Sequence, residues 1–285
     1  MIGRRNATRS VKEIRSNTVV VVCLVLLAAI ALFSVVGPLV SSHNMESIDL
    51  RASHQAPTFV GGRIFGTDAL GRDLFVRTMK GTQVTLLIAV VASLVSLIIG
   101  VTYGAVAGYV GGRLDAIMMR AVDVLYAMPF LFFVILLMVA FERSFFLIFV
   151  AIGAINWLDT ARIVRGQTMS LKQRAFIDAA RLTGVNTVGI ITRHIAPNLL
   201  GVVIVYTTLT VPQVILFESF LSFLGLGVQA PQTSLGALVN DGVVDEYVAP
   251  WVLLFPAGFL ALMLLCFNFL GDGLRDLFDP KSKVQ

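Results

Sequence analysis

Residues 176–198 read "FIDAARLTGVNTVGIITRHIAPN", a polar stretch in a chain that is otherwise mostly apolar. Its pattern is helical. Leu171, Ala175, Ala179 and Leu182 recur at i, i+4, i+8 and i+11, which places them on one apolar, partly small face. Lys172, Arg174, Asp178 and Arg181 cover the other sides. Gly184 follows, where a helix ending in a left-handed residue favours glycine. Asn186 or Thr187 is a suitable N-cap for a second helix, and Pro197 precedes the next apolar run. The segment 162–201 is therefore expected to be a helix, a glycine-permitted bend and a second helix. Forty residues is long for a plain linker, and a linker does not require a small-residue face.

The surroundings are those of a membrane. Of the 285 residues, 57% are hydrophobic and only 14% are charged, and the mean hydropathy is +0.87. Soluble domains are about a quarter charged. Six apolar runs are drawn at about 18–40, 84–108, 122–141, 145–161, 202–225 and 249–270, against the roughly 20 residues a spanning helix needs. The third and fourth are separated only by "ERS" at 142–144, which predicts an antiparallel hairpin. The first run follows a basic start. Its apolar core is longer than that of a signal peptide and lacks a clean cleavage site, so it reads as a retained span.

Placing the N-terminus inside leaves sixteen of the 22 Lys and Arg residues in inner segments and six in outer ones. This predicts both termini in the cytoplasm. The expected class is an all-α integral membrane protein with six transmembrane helices and a cytoplasmic helical loop. Its divisions are a cytoplasmic 1–17, a first span 18–40, an extracytoplasmic 41–83, a five-helix core 84–270 containing the loop 162–201, and a cytoplasmic tail 271–285. The acidic 226–248 loop, free of Lys and Arg, falls outside. The net charge of +5 forms no aromatic-interleaved patch, so nucleic acid is not an expected partner.

Within the second run, Ala92, Ser96, Gly100, Gly104 and Gly108 repeat every four residues. Such a stripe lets helix backbones approach closely in lipid, either within the chain or against a second subunit. Glu218 lies inside the fifth run. It faces a water-filled path, is protonated, or is hydrogen-bonded to Ser219 or Ser222. Arg120 with Asp123, and Asp159 with Arg162, are each three apart and read as local ion pairs. No catalytic or metal constellation is evident: His43, His54 and His194 cannot converge, Cys23 and Cys266 lie in apolar runs, and no phosphate-binding Gly-rich loop is present.

"DAARLTG" followed by "HIAPN" resembles the cytoplasmic coupling loop of ABC importer permeases. Asp178 stands where that family usually has Glu, followed by Ala179, Ala180, Gly184, His194 and Pro197. "FGTDALGRD" (65–73), "GYVGGRLDAIMMRAVDVLYAMP" (108–129) and "FNFLGDGLRDLFDP" (267–280) are similar to the dipeptide, oligopeptide and nickel branch, and within it to the second, shorter permease subunit. Ser234, Leu235 and Gly236 stand where that branch often has P-x-W-G. The resemblance implies a second permease subunit, two ATPase subunits that use ATP and Mg, an extracytoplasmic solute-binding protein, and a bacterial inner-membrane location. The chain itself is then no enzyme and binds no cofactor. The cargo it implies is short peptides, with nickel chelates or antimicrobial peptides as alternatives. A stand-alone secondary carrier remains the reading from another class; it predicts inverted repeats, which 1–141 and 142–285 do not show.

Overall fold

The computed structural model describes residues 18–59, 61–140 and 145–278. The basic start, the "ERS" connection and the last seven residues, 279–285, lie outside the described residues. Among those described the secondary structure is helical, with one isolated bridge between Thr67 and Asp73. That agrees with the membrane reading, because a lipid-exposed backbone must satisfy its own hydrogen bonds. Four helices are long and apolar enough to cross a bilayer. They are α1 (Thr18–Val40), α2 (Leu74–Val110), α7 (Thr187–Phe223) and α9 (Pro250–Phe278).

At 37 residues, α2 is about 55 Å long, against a hydrocarbon core of about 30 Å. It begins inside the segment expected to be an outer connection, and Asp73 caps it by accepting from the Val76 N–H at 2.9 Å. The extra turns carry Arg77, which lies 7% exposed between Asp68 and Asp241. A basic residue neutralised in this way says little about topology.

The third apolar run is not one helix. It breaks into α3 (Gly112–Ala127) and α4 (Phe130–Ala140). Pro129 has no N–H to continue the α3 ladder, and its ring pushes the preceding residue out of the helical region. Met128 accordingly has φ −77° and ψ 127°. Pro212 and Pro256, by contrast, stay inside α7 and α9. α5 (Phe145–Lys172) returns from the other end of α4 and leads into α6 (Ala175–Leu182). α7 contains a π-helical stretch at Ile190–Ile195 before the regular Ala196–Phe223. α8 (Leu235–Val244) is a short helix between α7 and α9.

The most extensive packing is between α2 and α5. The main core gathers Ile30 of α1, Ile88 and Ala92 of α2, Ile152 of α5, Val214 and Ile215 of α7, and Met263 of α9. A second core lies at the α6 end of the bundle. At the opposite end Phe65 stacks on Phe255 with ring centroids 4.0 Å apart and planes 3° from parallel.

Candidate functional site

α6 ends as its sequence demands. Gly184 has φ +79°. The Val185 N–H donates to the Ala180 carbonyl at 3.1 Å and the Gly184 N–H to the Arg181 carbonyl at 3.0 Å. These are the two bonds of a Schellman cap, and they satisfy carbonyls that the helix end would leave open. Asn186 then caps the next helix by accepting from the Gly189 N–H at 2.8 Å. The chain thus reverses within a few residues without losing a backbone hydrogen bond at either helix end.

The faces of α6 divide cleanly. Ile177 and Ala180 are buried in the second core, against Tyr109 of α2, Val164 of α5, and Ile190 and Ile195 of α7. Ala175, Phe176, Ala179 and Leu182 are exposed, Leu182 to 89%. Of the face predicted from the sequence, Ala175, Ala179 and Leu182 point outward while Leu171 packs against the second core, and a second, narrower face anchors the helix to three long helices. Asp178 points to solvent and pairs with Arg181 Nη1 at 3.3 Å. Arg181 and Lys172 flank the Tyr109 ring, 5.4 and 5.6 Å from its centroid. Nearby, Arg165 of α5 makes a two-pronged bond to Asp115 of α3, at 2.5 and 2.6 Å. His194 is half-buried in the π-helical stretch and its carbonyl accepts from Asn198 Nδ2. Pro197 follows on the π-helical stretch, at the start of the regular Ala196–Phe223 segment.

The small-residue stripe of α2 lies against α5 of the same chain. A Cβ on Gly100 would come within 2.6 Å of Thr160 Cβ, one on Gly104 within 2.4 Å of the Ala161 carbonyl, and one on Gly108 within 2.6 Å of the Arg165 carbonyl. Ser96 Oγ donates to the Gly153 carbonyl at 3.3 Å.

Glu218 is fully buried. Its carboxylate accepts from Ser222 Oγ at 2.7 Å and from Thr85 Oγ1 at 3.3 Å. Ser222 Oγ is also 3.1 Å from Ser234 Oγ, and Thr85 Oγ1 accepts from the Leu235 N–H at 3.1 Å. Four polar side chains thus join α7 to α2 and to the N-cap of α8. Of the two serines named from the sequence, Ser222 donates to this carboxyl. Ser234, standing where the branch pattern differs, is the α8 N-cap and donates this connection.

A cavity lies elsewhere in the bundle, beside the α3–α4 break. It measures about 560 Å³ and is lined by Leu125, Tyr126, Met128, Pro129 and Phe133, by Asn156, Leu158 and Asp159 of α5, and by Gln213 and Phe217 of α7. The local ion pairs expected from spacing are replaced here by one across helices. Arg162 Nη2 donates to Asp123 Oδ1 at 2.8 Å, and its guanidinium lies 4.4 Å from the Tyr126 ring centroid. Residues three apart on a helix can pair, but two helices crossing nearby offered Arg162 a carboxylate and a ring together.

The family model described as "Binding-protein-dependent transport system inner membrane component" matches residues 100–284, and that of the "N-terminal TM domain of oligopeptide transport permease C" matches 8–57. The chain belongs to this permease family. The oligopeptide transport system permease protein OppC of Haemophilus influenzae is 53% identical over 94% of this chain and 86% of its own length. The OppC protein of Escherichia coli K12 is also 53% identical, over 94% and 88%. The dipeptide transport system permease protein DppC of Bacillus subtilis is 44% identical over 95% and 85%. A chain of the MetNI methionine ABC transporter, in inward-facing conformation, shares the fold with a TM-score of 0.57 and 19% identity. It covers 72% of this chain and 96% of that one.

One part of the permease was not legible as a unit in the sequence. "FGTDALGRD" folds into a cap at the α8 end. The Asp68 carboxylate accepts from the Leu70 and Arg72 N–H groups, from Arg72 Nε at 2.7 Å, and from Arg77 Nη1. Gly71, with φ +70°, lies so close to the Asp49 carbonyl that no side chain fits. Trp251 Nε1 donates to the Thr67 carbonyl at 3.2 Å, and His54 Nε2 lies 3.2 Å from Asp245 Oδ2. Asp73 lies 3.5 Å from His43 Nδ1, and burial raises its carboxyl above the ordinary range. The signal for this cap was the spacing of Gly and Asp in the motif, but part of what holds it is distant, Trp251 lying 184 residues from Thr67.

Proposed function

We propose that this permease is one of two membrane subunits of an ATP-driven importer of short peptides in a bacterial inner membrane. Its six spans are α1, α2, the broken α3–α4 pair, α5, α7 and α9, with both termini cytoplasmic. α6 enters a groove on a partner ATPase, where ATP and Mg are used. Asp178, Ala179, Ala180, Gly184, His194 and Pro197 form the loop that carries the movement. The opposite end, with α8 and the 41–73 cap, receives the solute-binding protein. Alternating access is then rocking of the two permease halves about a path at their interface.

The observation that carries this reading is the exposed apolar face of α6, held to α2, α5 and α7 by Ile177 and Ala180. A helix so anchored transmits a push from its outer face to three spans at once. The peptide cargo rests on the relatives, which are oligopeptide and dipeptide permeases. The test is Ala179→Glu in the assembled complex, purified through a tag on this chain. The variant is expected to retain the second permease and lose the ATPase subunits. Recovery of both ATPases at wild-type stoichiometry would refute the docking face.

A further inference from the structure

The cavity beside the α3–α4 break carries one charge. Of the described residues that line it, Asp159 alone is ionisable in the neutral range, and it is exposed to the space. Among the described residues no cation lies within ion-pair distance of it. Arg162, one turn further along α5, is held by Asp123 and covers the Tyr126 ring. Asp159 is exposed on α5 between the buried Leu158 and Thr160. Its neighbours Trp157 and Thr160 pack on Gly100, well inside α2. An unneutralised carboxylate on a helix that spans the bilayer is costly unless water or a ligand meets it.

Two further features have the same sign. α3 ends at Ala127 on the cavity wall, and a helix C-terminus presents carbonyls and the negative end of its dipole. Asn156 is 8% exposed, lines the cavity one turn from Asp159, and spends its Nδ2 on the Ile152 carbonyl at 2.9 Å. One of its two amide N–H donors is therefore tied back into the helix, while its carbonyl oxygen remains an acceptor. Gln213 adds an uncharged amide from α7. The remaining wall is apolar or aromatic: Leu125, Tyr126, Phe133 and Phe217. The volume of about 560 Å³ falls in the usual range for small-ligand sites.

We propose that Asp159 is a cation-binding residue of the translocation path and receives the α-ammonium group of the peptide in transit. This rests on the peptide reading above. Every peptide with a free amino terminus carries that group, whatever its side chains. One carboxylate facing an apolar wall thus holds the common part and leaves the variable part unspecified. Such a site suits a path that follows a separate selecting protein.

The test uses the assembled importer in membrane vesicles, with Cys23 and Cys266 changed to Ala and Gln213→Cys as a reporter thiol in the cavity. Its reaction rates with a cationic (trimethylammonium) and an anionic (sulfonate) methanethiosulfonate are compared. Asp159→Asn is expected to lower the cationic-to-anionic rate ratio by about tenfold, and Asp159→Glu to restore it. A ratio unchanged by Asp159→Asn would overturn the proposal. In parallel, uptake of trialanine is measured at saturating binding protein. Asp159→Asn is expected to lower it by about tenfold, with recovery in Asp159→Glu; wild-type uptake in Asp159→Asn would also overturn the proposal. If the unaltered complex carries no peptide, the peptide reading fails and the ammonium assignment with it, while the rate ratio still decides whether the cavity holds cations.

Discussion

Gly184 is the clearest case of a residue whose chemistry could be read before its surroundings. Its φ of +79° closes the α6 cap, and open space lies where a side chain would go. The cost of replacement is thus conformational and not steric. Gly184→Val is expected to cost about 1–2 kcal/mol locally and to loosen the reversal between α6 and α7. ATP hydrolysis should then run without matching peptide uptake, while membrane insertion is unchanged. Measuring uptake per ATP hydrolysed in proteoliposomes checks this; a wild-type ratio would count against the coupling role. Asp73 is a different case. Its position ahead of α2 marked nothing special, yet burial raises its carboxyl while Val76 holds it as an N-cap. With the folded value above the unfolded one, the folded state binds more protons between the two. The contribution of this group therefore becomes less favourable as pH rises through that window. Asp73→Asn keeps the cap without the charge. It should raise the melting temperature at pH 7, and the difference should vanish at pH below the ordinary carboxylate range. Equal melting shifts at both pH values would contradict this.

At the scale of elements, period and spacing reported which faces are small or apolar, but not what covers them. The α2 stripe was compatible with either a neighbour in the chain or a second subunit. The structure sets it on α5, with the Ala161 carbonyl where a Gly104 side chain would stand. Backbone cannot step aside as a flexible side chain can. Gly104→Ala is therefore expected to destabilise the permease by about 1–3 kcal/mol, read as a lower melting temperature in detergent. Gly166, with nothing within 4 Å of its Cβ position, should accept alanine at little cost. The break at Met128–Pro129 was visible as a proline beside a span. What was not visible is that this proline stops a helix while Pro212 and Pro256 do not. All three lack the N–H, and the sequence does not tell which gap the neighbouring packing will absorb.

Over the whole molecule, the bundle has two working ends. One carries α6 and its exposed face. The other carries α8 and the 41–73 cap, joined through Arg77 to Asp68 and Asp241. If the first faces the cytoplasm, a cysteine at Tyr247, 92% exposed beyond α8, should react with a membrane-impermeant maleimide in cells whose outer membrane has been permeabilised. Cys23 and Cys266 are buried and should add little background. Reaction only after the inner membrane is broken would invert the topology.

The sequence by itself determined the helical membrane class, the polar loop with its glycine bend and Asn cap, and the family. Each is written in local terms: hydropathy over about 20 residues, helical period, and a motif within one segment. The tertiary structure alone decided the rest. It set Glu218 among three hydroxyls from α2, α7 and α8, moved Arg162 from Asp159 to Asp123, and left Asp159 in an open cavity. It also turned Ala179 and Leu182 outward on a base of Ile177 and Ala180. The physical reason is the same in each case. What pairs with or covers a side chain is whatever comes within a few ångströms of it, and helices far apart in the chain supply those neighbours.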